Sequence, residues 1–496
     1  MKRYYCTYFD RNYLVKALAL IESLNANEKT PFHLFAVCQD ELTRIVLEKL
    51  SPPNVSAIPM HEIEGGDVEL LAAKQNRSLV EYYWTTTPTI ILRLLETYPE
   101  IDSLTYLDAD LFFFSSPDPI FAEFQDHSVL IHEHRFSPSM NHLEPFGKYN
   151  VGLLCFRKDR KGYQVLKWWR ERCIEWCYMR FEDGKYGDQL YLNAFPTRFS
   201  GVKVIEHVGA GVAPWNHEQY EYDTGDAGNV LVNGRPVIFY HFHGLIFAHP
   251  ELIIPAVHHH PLTGEILRLF HLPYIHSLDR GIEAVRSHIS DFSFGLHTKD
   301  ALTSDHTFMV KSIHSAEIKS SGAPQTHFHL DGEWDCFRSA QLTTSSPLRK
   351  EIQRFNPTES KPNPLLELAQ KEVARTPEQH AAVLNKNGEA LYKDGAFEEA
   401  LNTFTKAIEL DPSMPAIHNN LGVMYWNAGD MQQALDCFET ALSLDPQNRD
   451  TILNCTQLLQ SYNRVEDAKT VCASYLEQNP NDTEISRMLM QLQEGE

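Results

Sequence analysis

The sequence predicts an α/β domain built on a parallel sheet, followed by an all-α domain of stacked helical repeats. Three observations carry that expectation. Strand-like and helix-like runs alternate through the first hundred residues, the order that builds a parallel sheet. An apolar run ends in Asp108-Ala109-Asp110, and in open α/β sheets ligands gather outside the carboxyl ends of strands. From residue 381 onward the chain repeats itself with a period of 34 residues. Its 496 residues suit two or three domains, and 43% hydrophobic with 11% aromatic residues suit a sizeable core.

The elements follow in order. Residues 3–9 read as a first strand. Leu14, Ala17, Leu18, Ile21 and Leu24 then recur at helical spacing. Phe32–Cys38 reads as a second strand, and Asp40 stands where it caps a helix over Glu41–Leu50. Val55–Met60 reads as a third strand. Helical patterns near 67–74 and 88–97 lead into a fourth, which ends at Asp108. Tyr149–Phe156 is another apolar run. Gly162–Arg180 reads as a helix whose stripe of Val165, Trp168, Trp169, Ile174, Trp176 and Cys177 is core packing, not a cofactor box. Val202–Val208 reads as a strand before the loop Gly209–Asn216. Val230–Phe242 reads as a hairpin turning at Asn233-Gly234, with Pro236 at an edge or a strand start. From about 285 to 380 the periodicity fades, and Phe328, Trp334 and Phe337 suggest a connector that is partly docked. The α/β domain is therefore expected over 1–284 and the repeats over 381–496, in units near 381–414, 415–448 and 449–482 with a terminal helix.

Charge narrows the partners. The formal net charge is −22; residues 381–496 hold 7 Lys+Arg against 18 Asp+Glu, a balance of −11. That argues against nucleic acid and against an anionic membrane surface as partners. The opening MKRYYCTYFD has no apolar stretch fit for a signal peptide. No window approaches 18 continuous apolar residues, so no transmembrane segment is expected. The nine cysteines follow no framework spacing, and Cys173 and Cys177 lack the paired spacing of a zinc site. Reduced buried thiols in a cytoplasmic protein are the expectation.

The repeat is specific. Gly388 recurs as Gly422, Gly395 as Gly429, Ala400 as Ala434, Phe404 as Phe438, Ala407 as Ala441 and Pro412 as Pro446. A third copy keeps Ala468 and Pro480 but carries Cys455, Cys472 and Tyr475 in place of the usual types. Small residues at fixed positions let two helices pack closely, and proline ends each second helix. The pattern resembles the tetratricopeptide repeat. That resemblance implies a concave surface for a protein or peptide partner, and the acidic balance favours a basic one.

Asp108 and Asp110 lie two apart on extended backbone, so both carboxylates face one target. Such a pair suits a hard divalent cation shared with phosphate oxygens. Four further motifs follow the same order along the chain as in a known family. They are Phe9-Asp10-Arg11-Asn12-Tyr13, Tyr149-Asn150-Val151-Gly152, Gly187-Asp188-Gln189 and His241-Phe242-His243-Gly244. Residues 1–250 thereby resemble the GT-A glycosyltransferases of family 8, the type of glycogenin and the bacterial lipopolysaccharide galactosyltransferases.

The resemblance implies a Rossmann-like nucleotide-diphospho-sugar transferase that uses Mn²⁺ or Mg²⁺ and a nucleotide sugar, with UDP favoured. It implies that Phe9, Asp10 and Asn12 hold the base and ribose. Asp108-Ala109-Asp110 would meet the diphosphate and metal, and Asn150 and Gly152 the donor sugar. Asp188 and Gln189 would stand at the reacting centre, and His241 would be the third metal ligand. His243 is the alternative ligand, since alternate strand residues share a face. Lys74 and Arg77 are candidate diphosphate contacts, with Arg93 a third. The acceptor is expected to be a protein, a glycan or a lipid-linked saccharide. Two other readings compete. Asp-x-Asp after a strand also marks haloacid-dehalogenase-like phosphatases, but there it ends the first strand, and a small or hydroxyl residue stands where this chain has Phe112. A non-catalytic scaffold with a degenerate transferase domain is the second; the intact Asp108, Asp110, Asp188 and His241 speak against it.

Overall fold

The computed structural model describes residues 2–226, 228–249, 251–255, 262–290, 292–295, 308–312, 326–331, 333–338, 377–393 and 397–494. The chain divides into two compact units, Met1–Ala369 and Gln370–Glu496.

The first unit opens with β1 (Arg3–Phe9), α1 (Leu14–Asn27), β2 (Phe32–Cys38), α2 (Glu41–Leu50) and β3 (Val55–Pro59). The Asp40 carboxylate accepts the Thr43 N–H and caps α2 as expected. Two short helices, α3 (Met60–Glu64) and α4 (Val68–Asn76), precede α5 (Leu79–Thr97) and then β4 (Ser103–Leu107), the fourth strand. The Ser78 hydroxyl and Glu81 carboxylate close a reciprocal box at the start of α5.

The expected parallel sheet is in fact mixed. β5 (Leu111–Phe113), α6 (Asp118–Phe124), β6 (Val129–Glu133), β7 (Tyr149–Arg157) and β8 (Val202–Val204) complete the set. The seven-stranded order is β3-β2-β1-β4-β7-β6-β8. β1 pairs in parallel with β2 and β4, whereas β7 runs antiparallel to both β4 and β6. Antiparallel neighbours need no helical crossover, and β6 reaches β7 through a segment containing only a 3-10 turn, Pro138–Phe146. The helix after β7, α7 (Arg160–Glu175), stops five residues short of the predicted end because Trp176 turns extended. Its stripe is core, with Val165, Trp169 and Cys177 buried and Trp168 and Ile174 packed against them.

The predicted strand over 202–208 ends at Val204, and a separate β9 (Ala210–Val212) follows. β10 (Tyr222–Thr224), β11 (Val230–Val232) and β12 (Arg235–Pro236) form a small antiparallel sheet. Asn233 and Gly234 make the β11–β12 turn with φ of 47° and 73°, and Pro236 lies on an edge strand. The hairpin ends there. β13 (Phe239–His241) leaves it to pair antiparallel with β5 and parallel with β9.

Beyond it, β14 (Ile246–His249), β15 (Leu252–Ile254), β16 (Phe308–Lys311), β17 (Thr326–His329) and β18 (Trp334–Arg338) form a five-stranded sheet. Three of these strands come from the stretch expected to be a connector. Trp334 there is fully buried; the side chains of Phe328 and Phe337 lie outside the described residues.

The second unit contains the helices Pro377–Lys393, Phe397–Leu410, Pro415–Asn427, Met431–Leu444, Arg449–Ser461, Val465–Gln478 and Thr483–Glu494. The 34-residue period has a steric cause. A Cβ on Gly388 would stand 2.6 Å from Phe404 Cε1, and one on Gly422 would stand 2.5 Å from Phe438 Cε1. Each aromatic ring fills the space that its glycine leaves. The third copy changes both partners together: Thr456 and Cys472 stand at the equivalent positions, with Oγ1 and Sγ 3.4 Å apart. Ala400, Ala407, Ala434, Ala441 and Ala468 are fully buried. Gly395 lies outside the described residues. Successive repeats are tied by Asn420 Nδ2 donating to Asn385 Oδ1 at 2.9 Å and Asn454 Nδ2 donating to Asn419 Oδ1 at 3.0 Å.

These pairs predict a compensation. Gly422→Thr places a side chain where Phe438 already sits, and is expected to destabilise the repeats by roughly 2 kcal/mol. Gly422→Thr/Phe438→Cys, which copies the third repeat, is expected to recover part of that loss in urea unfolding. Equal loss in the single and the double variant would contradict the paired packing.

Candidate active site

The acidic pair is set at the end of β4 by main-chain pairing. Asp108 N–H donates to Gly152 O at 2.9 Å, which joins the pair to β7. Three residues later β5 begins, and β13 lies against it with His241 opposite Leu111. Phe242 N–H donates to Asp110 O at 2.9 Å. Side chains alternate along β13. Tyr240 and Phe242 enter an aromatic cluster, with Phe242 stacked on Tyr274 at 3.8 Å and Tyr240 on Phe270 at 4.8 Å. His241 points the other way, at the carboxylates. Its Nε2 lies 3.1 Å from Asp110 Oδ1 and 3.7 Å from Asp108 Oδ2. One ligand atom from each of Asp108, Asp110 and His241 falls within 4.8 Å of the others.

That donor set, two carboxylate oxygens and one imidazole nitrogen, fits a divalent cation such as Mn²⁺ or Mg²⁺. In the protein alone the imidazole faces both carboxylates. Burial disfavours its charged form, but Asp110 and Asp108 outweigh that and raise the His241 pKa. Burial likewise pushes the Asp110 carboxyl up, and His241 with Lys16 more than reverses it, leaving Asp110 below the usual range. Tyr106 donates to Asp108 Oδ1 at 2.6 Å. His243, the other ligand considered, is outside the three-residue group; its ring centroid is 6.0 Å from that of His241.

Gly152 is forced by this geometry. A Cβ there would lie 2.6 Å from Asn150 Oδ1 and 2.9 Å from the His241 ring. Asn150 is held at both ends: Oδ1 accepts the Gly152 N–H at 2.7 Å, and Nδ2 meets His134 Nε2 at 3.0 Å. Burial drops the His134 pKa to about 3, so its neutral ring is the acceptor in that contact. The loop 209–216, which had no predicted role, closes this side. Asn216 Nδ2 donates to His134 O and to Gly211 O, both at 2.8 Å, and Trp215 meets the His241 ring edge-on at 5.2 Å.

Asp188 is positioned by α5 and α7. Thr87 Oγ1 is 3.5 Å from its carboxylate, and Trp169 Nε1 donates to its carbonyl at 2.9 Å. Gly187, at φ 52°, lets Trp84 pack where a Cβ would be only 3.2 Å from the indole. Burial first, and the Asp108 charge second, raise the Asp188 pKa to about 8. Gln189 Nε2 donates to Phe146 O at 3.1 Å.

The Asp10 loop is a self-bonded turn. Asp10 Oδ1 accepts the Asn12 N–H at 2.9 Å and Oδ2 accepts the Asn12 amide at 3.0 Å, while Tyr83 OH reaches Oδ2 at 3.3 Å. Phe9, at the end of β1, and Ala109, in the turn between β4 and β5, are buried. Lys74 and Arg77 make their contacts away from the carboxylate group. Lys74 Nζ pairs with Glu64 at 2.7 Å. Arg77 hydrogen-bonds Tyr178 OH and donates to Ile174 O at 3.1 Å. Arg93 donates to Gly65 O at 3.3 Å. The cation the sequence did not single out is Lys16, buried in the first turn of α1, whose charge acts on both Asp110 and His241. A lysine on the apolar face of a helix was the available signal.

Comparison with known proteins places both parts of the chain in families. Residues 6–198 match Glycosyl transferase family 8, and residues 388–429 and 425–492 match tetratricopeptide repeats. The uncharacterized protein YfnD of Bacillus subtilis (strain 168) is 32% identical over 306 residues, 61% of this chain and 97% of that protein. The uncharacterized protein YfnF of the same organism is 36% identical over 248 residues, 48% of this chain and 80% of that protein. Among solved structures, the first TPR of Spaghetti (RPAP3) bound to HSP90 peptide SRMEEVD is 24% identical. It covers 24% of this chain and 96% of that one, with a TM-score of 0.23.

The pKa of Asp188 gives a measurable slope. In the unfolded chain the carboxyl releases its proton near the usual value of about 3.9; in the fold it keeps it to about 8. Between those values the folded state binds the extra proton, so this residue's contribution to stability falls as pH rises. Thermal unfolding of the metal-free protein is expected to show that decline between pH 5 and 8, as probed at about one-unit steps, and Asp188→Asn to flatten it. An unaltered slope in the variant would contradict the assignment.

Proposed function

Because the chain belongs to glycosyl transferase family 8, joined to tetratricopeptide repeats, we propose that it is a metal-dependent transferase. It moves a sugar, of the hexosyl type, from a nucleotide-diphosphate donor with UDP favoured, in the cytoplasm. The observation that carries this reading is the Asp108–Asp110–His241 group, with Asp188 and Asn150 held beside it. Family membership sets the phosphatase reading aside.

Each residue has a derivable task. Asp108, Asp110 and His241 would hold Mn²⁺ or Mg²⁺, which when bound neutralises charge on the departing nucleoside diphosphate. The Asp10–Asn12 turn follows β1 and offers side-chain oxygens to a base and ribose. Asn150 keeps one amide hydrogen beyond its bond to His134, and that hydrogen is available to a donor-sugar hydroxyl. Asp188, buried beside Thr87, would hydrogen-bond a hydroxyl of the donor sugar. Gln189 has its Nε2 on the Phe146 carbonyl, which leaves its Oε1 for the reacting centre beside Asp188.

The repeats have the period and the acidic balance of a recruiting surface for a basic segment of an acceptor or partner protein. They contain no counterpart of the metal group among the described residues.

Two experiments test the reading. Purified protein with Mn²⁺ and a panel of nucleotide sugars, followed by mass spectrometry, is expected to show slow hydrolysis of one donor. Asp110→Asn is expected to cut that rate by on the order of a hundredfold with the fold kept, as read by circular dichroism. Full activity in that variant, or in excess EDTA, would end the metal-dependent reading. A chain ended after Ala369 is expected to hydrolyse donor at the full rate while transfer to a dilute native acceptor falls at least about tenfold. Transfer at the full-length rate would leave the repeats a structural role.

A further inference from the structure

Lys16 is 8% exposed. A lysine buried to that degree needs charged or hydrogen-bonding partners. Its Nζ donates to Leu245 O at 3.0 Å and sits 4.4 Å from the centroid of the Tyr13 ring. Leu245 closes the turn that follows His241, with its N–H bonded to Phe242 O at 3.3 Å. Tyr13 ends the Asp10 turn, with its N–H on Asp10 O at 3.0 Å. The ammonium therefore bridges the turn expected to hold the nucleoside and the strand that delivers the metal ligand. An ammonium has three donors, and the bond to Leu245 uses one.

The surrounding charge needs a cation at this point. Asp108 and Asp110 together cancel one divalent ion, so the charge of a diphosphate held there is left for another group to meet. Arg11 is committed to Asp40 at 3.2 Å, Lys74 to Glu64, and Arg77 to Tyr178 and Ile174. Lys16 acts electrostatically on Asp110 and on His241.

We propose that Lys16 forms the phosphate subsite of this centre, its ammonium binding an oxygen of the donor diphosphate beside the Asp108–Asp110–His241 group. The subsite belongs to the donor site proposed above and stands only if that site does. It makes Lys16 a binding residue for the departing nucleoside diphosphate and leaves the base and ribose to the Asp10 turn.

Calorimetry on the full-length protein with Mn²⁺ separates the outcomes, using UDP, GDP and dTDP with their matched nucleosides. Lys16→Met, which keeps the length of the side chain and suits a buried position, is expected to weaken the tightest diphosphate at least about tenfold. The matched nucleoside should change less than about twofold on that scale, and Lys16→Arg should retain diphosphate binding. Equal weakening of nucleoside and diphosphate, or no change in either, overturns the subsite and leaves Lys16 a packing role. Wild-type protein that binds none of the three diphosphates overturns the donor site and the subsite together. If Lys16→Met does not fold, acetylation of Lys16 in the wild type, read by mass spectrometry, decides. The diphosphate is expected to slow it and the nucleoside to leave it unchanged; equal rates overturn the proposal.

Discussion

Three residues of antiparallel pairing, Leu111–Phe113 against Phe239–His241, determine whether the site exists at all. They join segments about 130 residues apart and set a histidine opposite the residue that follows an acidic pair. The pairing is over-determined from behind. On α1, Ser23 Oγ accepts the Phe113 N–H at 3.1 Å and Asn27 donates to Phe113 O at 3.0 Å. A one-residue slip would turn every β13 side chain over. His241 would then enter the aromatic cluster and Tyr240 and Phe242 would face the carboxylates. The stacks of Phe242 on Tyr274 and Tyr240 on Phe270 oppose that slip with apolar burial, so the metal ligand is aimed by the packing of its neighbours.

Close approach is the second recurring device, and both units use it. Gly152 admits the His241 ring, Gly187 admits Trp84 behind Asp188, and Gly388 and Gly422 admit Phe404 and Phe438. At each, a large ring occupies the volume of an absent methyl group. Interiors at crystal-like density transmit such changes to their neighbours. At Gly152 the neighbours are His241 and Asn150, so a methyl there would disturb the ligand group. At Gly388 and Gly422 the neighbour is the second helix of the same repeat.

Much of this was legible in the sequence because it rests on local spacing. The strands up to β4, helices α1 and α2, the Asp40 cap and the 34-residue period each follow from residues within one or two turns of each other, whereas α3 and the first nine residues of α5 were not foreseen. What local spacing could not show was pairing across distance. The antiparallel setting of β7 depends on which strand lies beside it, and no residue within Tyr149–Arg157 encodes that. Lys74 and Arg77 are basic and near the right elements, but Glu64, Tyr178 and Ile174 engage them from elsewhere in the chain. Lys16 was passed over because a lysine in an apolar helical stripe usually reaches water, and its burial arises only when the turn at Leu245 closes over it. Of the strands at 308–338, β16 has one partner more than fifty residues upstream, β15, whereas β17 and β18 pair locally and were missed because the residues there show no clear alternation.

The imidazole between the two carboxylates has a further consequence for exchange with the solvent. With no ion present, His241 Nε2 faces the Asp110 carboxylate at 3.1 Å, and its Nδ1 is buried without a hydrogen-bond partner among the described residues. A divalent ion entering the group must take the place of the Nε2 hydrogen, because imidazole binds a metal through a lone pair. The acidic pair raises the His241 pKa, so protons compete with the ion for that nitrogen. Acidification should drive the ion out, tying occupancy of the centre to the pH of its surroundings.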